Sequence, residues 1–441
     1  MNAFLKGTFV LASAAFLGEL VEFLVNMILA RELGKEGMGI YMSVLPIIFL
    51  IATVASLEFP ISIAKFIAEH DRKEHRHMMK HATRFALFMT VIFFCLTAVV
   101  VFSFPVLSHY HPMLNRIVLI FIPIVAFSAI LRGYFTGKNR MTTIAVSNFI
   151  RKAVQLTLLF LLFRTFSFES AELSMLAAVG ALVGTEAVIL IYFFFSYFTS
   201  LNVITKSHRP TLQPKEIRHK LLAVSLPTTG LRLFNSLANA IQPFLIKKAL
   251  VLSGMSISVA TQHFGILMGV AATIGFFPAF FAHSILVALI PAVSEAQIKQ
   301  DSAKLQELLQ QCMKMTFTYG IPSVVVMYVF AHPLTNLFFH STEAVYYLQN
   351  LWPFFLFHYF SIPLQAYLIG LGLVKDGLYH TIWAHIISFG MIYLLGSQQE
   401  IGMHGIIMGL NAGAVLLMLL HYVTVCRAIG VTLILWRTKK T

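Results

Sequence analysis

The chain has 441 residues, 58% of them hydrophobic and only 11% charged, and its mean hydropathy is +0.81. A soluble protein covers its surface with about 25% charged residues, so a water-soluble fold is excluded and most of the solvent is lipid. The net charge of +14 would suit a nucleic-acid binder, but its distribution along the chain points to membrane orientation instead.

Apolar runs long enough to cross a bilayer, about 20 residues each, lie near 7–30, 38–57, 85–106, 115–135, 142–163 and 174–198. Six more lie near 221–246, 264–290, 315–337, 348–371, 378–396 and 402–425. Continuous runs of this length are helices, because a barrel strand shows a shorter, alternating pattern. The expected fold is an all-α polytopic membrane protein with 12 transmembrane helices.

The first run has small residues at Ala12, Ser13, Ala14 and Ala15, as a signal peptide has. The apolar stretch continues past them, so it reads as an uncleaved span. Inside it Glu19 and Glu22 stand three residues apart, with Asn26 one turn further, all on one helix face. Two carboxylates in hydrocarbon must be paired, protonated or wet. They fit a coupling cation or proton site, a counter-charge for a cation elsewhere in the membrane, or a polar seam between packed helices. Glu58, near the inner end of the second span, and Glu186 in the sixth raise the same questions.

With the N-terminus placed in the cytoplasm, twenty-five of the 32 Lys and Arg fall on cytoplasmic segments and six on outer loops, leaving Arg232 alone inside a span. In this tally Arg132, Lys138, Arg140, Arg151 and Lys152 all belong to one cytoplasmic segment. This is the positive-inside pattern, with both termini cytoplasmic. The run from His70 to His77 contains metal-ligand residue types, but its basic character reads as a solvated loop near anionic headgroups.

The clearest internal break runs from Thr199 to Lys220, with Pro210, Pro214 and five cations. It divides the chain into an N-terminal six-helix lobe (1–198), a cytoplasmic linker (199–220) and a C-terminal six-helix lobe (221–441). Six spans per half make any repeat a parallel one. Setting Gly39 against Gly265 gives matches at the level of chance, so topology rather than residue identity argues for two lobes.

In the seventh span Arg232 lies about 16 Å along the helix from Leu221, close to the bilayer midplane. Asn235, Asn239 and Gln242 continue a polar stripe from it. Intramembrane charges mark pathways, and a guanidinium suits phosphate through forked hydrogen bonds. The bland reading is an Arg bonded to helix carbonyls or snorkelling. His283, His358, His385 and His421 are proton relays on one reading and helix-to-helix hydrogen bonds on the other. Pro278, Pro353 and Pro363 permit kinks, and Gly265, Gly269 and Gly275 permit close helix approach. Cys95, Cys312 and Cys426 are isolated, which indicates neither a disulfide framework nor a metal site. There is no GxxxxGK loop, no cofactor motif, and no loop long enough for a soluble catalytic domain. An enzyme is therefore not expected.

Several stretches in order along the chain resemble one family. They are Ala30-Arg31-Glu32-Leu33-Gly34-Lys35-Glu36-Gly37, Phe59-Pro60-Ile61-Ser62-Ile63-Ala64-Lys65, and Leu131-Arg132-Gly133-Tyr134-Phe135-Thr136-Gly137. The second half adds Ser225-Leu226-Pro227 with Arg232, Phe277-Pro278, and Ile290-Pro291-Ala292-Val293-Ser294-Glu295. Together they resemble the multidrug/oligosaccharidyl-lipid/polysaccharide (MOP) exporter superfamily, in its polysaccharide transporter branch around stage V sporulation protein B. Among sporulation members the chain is similar to the shorter YkvU type.

The resemblance implies a MATE/MurJ-like pair of six-helix lobes around a central cavity that faces each side in turn. It implies outward movement of a polyprenyl-pyrophosphate-linked saccharide or peptidoglycan-type precursor, driven by a coupling cation or the membrane potential. Arg232 falls where the family tends to carry a cation. Span five departs from the pattern, since Arg151 and Gln155 stand where relatives tend to have an acidic residue and then an Arg. The branch often has 14 spans, and the Glu19/Glu22 pair is not a family feature.

The reading is a multi-pass plasma-membrane flippase for cell or spore envelope synthesis. Arg232, Asn235 and Asn239 bind substrate; Glu19, Glu22 and Asn26 hold a coupling ion or a counter-charge. No metal, cofactor or nucleic acid is expected. The rival readings are a cation-coupled multidrug-type exporter and a non-transporting scaffold for envelope assembly.

Overall fold

The computed structural model describes residues 3–68, 75–103, 110–201, 214–339 and 343–432. The expected linker and the His70–His77 run therefore fall largely outside the described residues. The first half contains α1 (Ala3–Ser56), α2 (Phe59–Ala68), α3 (His75–Ser103), α4 (Met113–Gly137), α5 (Met141–Thr165) and α6 (Ala171–Leu201). The second begins with α7 (Pro214–Leu252), α8 (Ile257–Gly265), a π-helical turn (Ile266–Ala271), α9 (Ala272–Phe276) and α10 (Ala279–Ile298). It continues with α11 (Ser302–Val329), α12 (Ala331–Phe339), α13 (Glu343–Asn350), α14 (Trp352–Gly370), α15 (Val374–Gly396) and α16 (Met403–Ile429). The all-α class is as the sequence indicates.

Ten helical segments among the described residues are long and apolar enough to cross a membrane. They do not correspond one to one with the twelve expected runs. The first segment, Ala15–Ile67, has 53 residues, about 80 Å of helix at 1.5 Å per residue and more than twice a hydrocarbon core. It bends at Gly34, whose φ of 63° is in the left-handed region, so two expected spans meet there. The run at 264–290 divides instead into Ile257–Phe276 and Ala279–Ile298, with Pro278 between them. α7 and α14 are helical but not among the ten. Arg232, Asn235, Asn239, Lys247 and Lys248 make α7 too polar, as His358, Gln365 and two prolines do α14.

By internal contacts the chain forms two compact units. One joins Met1–Gly39 to Gln242–Thr441 and the other is Ile40–Ile241. The expected division at 199–220 grouped spans by order along the chain. In the contact grouping the first span joins the late helices, and the seventh helix is shared up to Ile241 with the early ones.

The core of the 40–241 unit is built by α2, α3, α4 and α6 around Phe59, Ile63, Phe85, Leu131, Tyr134, Phe135 and Phe193. Phe135 and Phe193 stack with centroids 5.8 Å apart. The Arg-Gly-Tyr-Phe stretch has a packing reason. A Cβ on Gly133 would sit 2.9 Å from the Phe59 carbonyl oxygen, and one on Gly137 2.6 Å from that of Ala64. In the other unit Ile285, Leu289 and Val293 of α10 pack with Leu305, Leu309 and Cys312 of α11, Leu364 and Tyr367 of α14, and Val425 of α16.

Gly39 and Gly265, set against each other as candidate repeats, instead touch. A Cβ on Gly265 would lie 2.4 Å from the Lys35 carbonyl oxygen and 2.6 Å from the Gly39 nitrogen. Gly265→Val should therefore lower the melting temperature of the purified protein in detergent, consistent with about 1–3 kcal/mol of overpacking. Gly390→Ala, whose Cβ meets nothing within 4 Å, should not lower it.

Candidate functional site

The second apolar run ends where α1 stops at Ser56 and α2 starts at Phe59. Leu57 and Glu58, with φ of 44° and 50°, are both left-handed and neither is glycine. That conformation costs about 1–2 kcal/mol per residue, so the surroundings must hold it. The Glu58 carbonyl accepts from the backbone N–H groups of Ile61 at 3.0 Å and Ser62 at 3.2 Å, which starts α2. Glu58's side chain meets α7, where Arg232 Nη1 donates to its Oε1 at 2.9 Å. Close by, Thr53 and Ser236 hydroxyls share a hydrogen bond of 3.1 Å, fixing α1 and α7 in register.

The pair is asymmetric. Glu58's side chain is 3% exposed and Arg232's is 68% exposed. A buried carboxylate thus anchors one guanidinium nitrogen, while the rest of the fork stays open. Asn235 and Asn239 are exposed too. The structure thus brings the predicted stripe of Arg232, Asn235 and Asn239 onto one open face of the 40–241 unit. The residue that positions it, Glu58, was visible in the sequence only as a second-rank carboxylate.

Glu19, Glu22 and Asn26 lie in the other unit. They line a cavity of about 240 Å³ with Phe23, Met268, Ala272, Thr273, Phe276 and Phe277. The opposite wall follows the π-helical turn, a break in regular bonding that recurs at functional sites. Phe23 packs edge-on against Phe277 at 5.2 Å, and Phe16 against Phe280 at 5.4 Å. The counter-charge on Arg232 is the Glu58 carboxylate. Glu19 and Glu22 share their cavity with a hydroxyl, an amide and a thioether.

Glu186 has a partner that the charge tally overlooked. Arg151 donates to its Oε1 through Nη1. Arg151 was counted with a cytoplasmic segment, yet α5 begins at Met141 and places it ten residues into the helix. The histidines mostly make helix contacts. His283 Nδ1 lies 2.9 Å from the Ala279 carbonyl, His358 sits edge-on to Phe276, and His421 meets His380 at 2.9 Å.

Residues 4–252 match the family described as polysaccharide biosynthesis protein, and residues 249–394 match the MatE family. The chain is 48% identical to sporulation protein YkvU of Bacillus subtilis (strain 168), over 99% of this chain and 98% of that one. The chain belongs to the polysaccharide biosynthesis protein family. It is also 30% identical to stage V sporulation protein B of the same organism, over 98% of this chain and 85% of that protein. Lipid II flippase MurJ of that organism is 22% identical over 78% of this chain and 67% of its own length.

Among solved structures, an inward-facing multidrug resistance MATE family transporter of the MOP superfamily superposes with a TM-score of 0.69 at 16% identity. The match covers 93% of this chain and 95% of that one. An outward-facing one gives 0.67 at 17%, covering 99% and 98%. The polysaccharide biosynthesis family member described here therefore has a MATE-like fold and is a multi-pass membrane protein.

Removing one member of the Arg232–Glu58 pair should destabilise more than truncating the open stripe. Arg232→Ala strands a buried carboxylate and should lower stability by about 1–3 kcal/mol, while Asn235→Ala should change it little. Adding Glu58→Gln to Arg232→Ala should recover most of the loss in a detergent melting experiment.

Proposed function

We propose that this chain is a plasma-membrane flippase that moves a lipid-linked saccharide or peptidoglycan-type precursor outward by alternating access, for cell or spore envelope synthesis. Its orientation is both termini cytoplasmic, as the distribution of Lys and Arg supports. The observation that carries the reading is the anchored, open guanidinium of Arg232, 68% exposed while Glu58 fixes one nitrogen. Guanidinium forks match pyrophosphate oxygens, and a pre-held fork loses less freedom on binding. Asn235 and Asn239 offer amides along the same face to a sugar or to water. Kinship with a protein named as a lipid II flippase and with two named for sporulation supports the substrate class and the setting.

Glu19, Glu22 and Asn26 supply the coupling-cation site, because their cavity holds carboxylate and amide oxygens beside the Thr273 hydroxyl. A multidrug-type exporter would use the same acidic cavity, but it gives Arg232 no task.

In liposomes with a fluorescent polyprenyl-pyrophosphate saccharide, Arg232→Ala should reduce translocation about tenfold or more, the loss of one charge-assisted pair. Arg232→Lys should recover only part of it, since an ammonium lacks the fork. Translocation by Arg232→Ala at the wild-type rate would remove this role. Glu19→Gln with Glu22→Gln should abolish the response of transport to an imposed ion gradient while leaving substrate binding intact. A gradient response as in wild type would rule out the coupling role.

A further inference from the structure

Arg151 and Glu186 do not account for all the charge around them. Arg132, near the end of α4, feels the charges of both and donates through Nη2 to Asn148 Oδ1 at 3.4 Å. Two guanidinium groups and one carboxylate thus meet among α4, α5 and α6, with one positive charge left over. Arg151 lies about 15 Å along α5 from Met141 at 1.5 Å per residue, half the depth of a hydrocarbon core. An intramembrane cation is unfavourable by about 2.5–3.5 kcal/mol on insertion scales, so a surplus one needs a reason.

The geometry is that of an incomplete site. Glu186 takes Arg151 through Nη1, and Arg151 Nε is buried without a hydrogen-bond partner. A stranded donor on a charged group costs about 1–3 kcal/mol or more. Arg132 gives one nitrogen to Asn148, whose own amide N–H groups are on an exposed residue. Arg151's side chain is 32% exposed and Glu186's is 12% exposed, so the cation is the more accessible member of the pair. The turn that follows α4 adds Lys138 and Arg140. Oxygen atoms of an anion would supply the missing charge and accept from the accessible N–H groups of the two guanidinium ends and Asn148.

We propose that Arg132, Asn148 and Arg151 form an anion-binding site for a lipid phosphate, distinct from the Arg232 stripe, with Glu186 holding Arg151 in place. The phosphate belongs either to an anionic bilayer lipid or to a polyprenyl pyrophosphate on its way across.

Native mass spectrometry of the purified full-length protein tests this, with phosphatidylglycerol and farnesyl pyrophosphate as probes and phosphatidylcholine as control. Arg132→Gln leaves the Arg151–Glu186 pair intact and should weaken binding of an anionic probe about tenfold. Glu186→Gln should strengthen it, whereas a purely structural ion pair predicts no gain. Loss confined to phosphatidylglycerol assigns the site to bilayer lipid, and loss confined to farnesyl pyrophosphate assigns it to the transported class. Wild-type affinity for both probes in Arg132→Gln would overturn the site, even if Glu186→Gln failed to fold. Weakening by Arg232→Ala alone would overturn it while leaving the Arg232 reading standing.

Discussion

Inside a membrane every backbone and side-chain polar group must find its partner within the protein, and the pairing of Glu58 with Arg232 meets that demand at a broken helix. The left-handed residues Leu57 and Glu58 interrupt the second run. The Glu58 carbonyl then restarts the helix while its carboxylate turns to α7. One residue closes the break and fixes a cation in place, so the position of Arg232 follows from the shape of another helix.

The same demand sorts the other polar side chains in the apolar runs. Asn411 accepts from the Phe354 N–H and donates to the Asn350 carbonyl, both at 3.0 Å, across the junction of α13 and α14. Tyr359 donates to the Gly275 carbonyl where α9 is about to end, and Tyr367 to that of Leu305 at 2.5 Å. Arg31 donates to the Leu337 carbonyl in the last turn of α12. These groups serve helix ends and interruptions, and they are used up in doing so. What remains is the open fork of Arg232 and the surplus cation at Arg132 and Arg151. Function is best sought in that remainder.

Much of this was legible in the sequence because hydropathy and charge are read against a known solvent. Run lengths give the class, and Arg232 emerged because it fitted neither an apolar span nor the pattern of loop cations. Several things were not legible. Arg151 was assigned by its distance along the chain to the nearest cationic turn, and only helix depth and the approach of α6 show that it faces Glu186. The left-handed turn at Leu57 and Glu58 has no compositional cue, since neither residue is one that favours it. The π-helical turn at Ile266–Ala271 has no local pattern that announces it. The polar side chains that give α7 and α14 their tasks also lower their hydropathy below that of an ordinary span.

The two compact units change how the candidate groups are distributed along the chain. Arg232 comes from the second half of the sequence, yet its anchor and register partner, Glu58 and Thr53, come from the first. Glu19 and Glu22 come from the first half, yet their cavity wall is Met268–Phe277 from the second. Each candidate site thus joins residues from both halves of the chain. α1 passes from one unit to the other at Gly39, and α7 does so at Ile241. The acidic cavity lies on the first part of α1, and Glu58 lies just beyond its last turn. Between them α1 departs from helical geometry at Gly34, whose φ is 63°, and it ends at the left-handed pair Leu57 and Glu58. One helix thus serves both units, carrying acidic residues of a cavity on one side of its bend and, past its end, the carboxylate that holds Arg232.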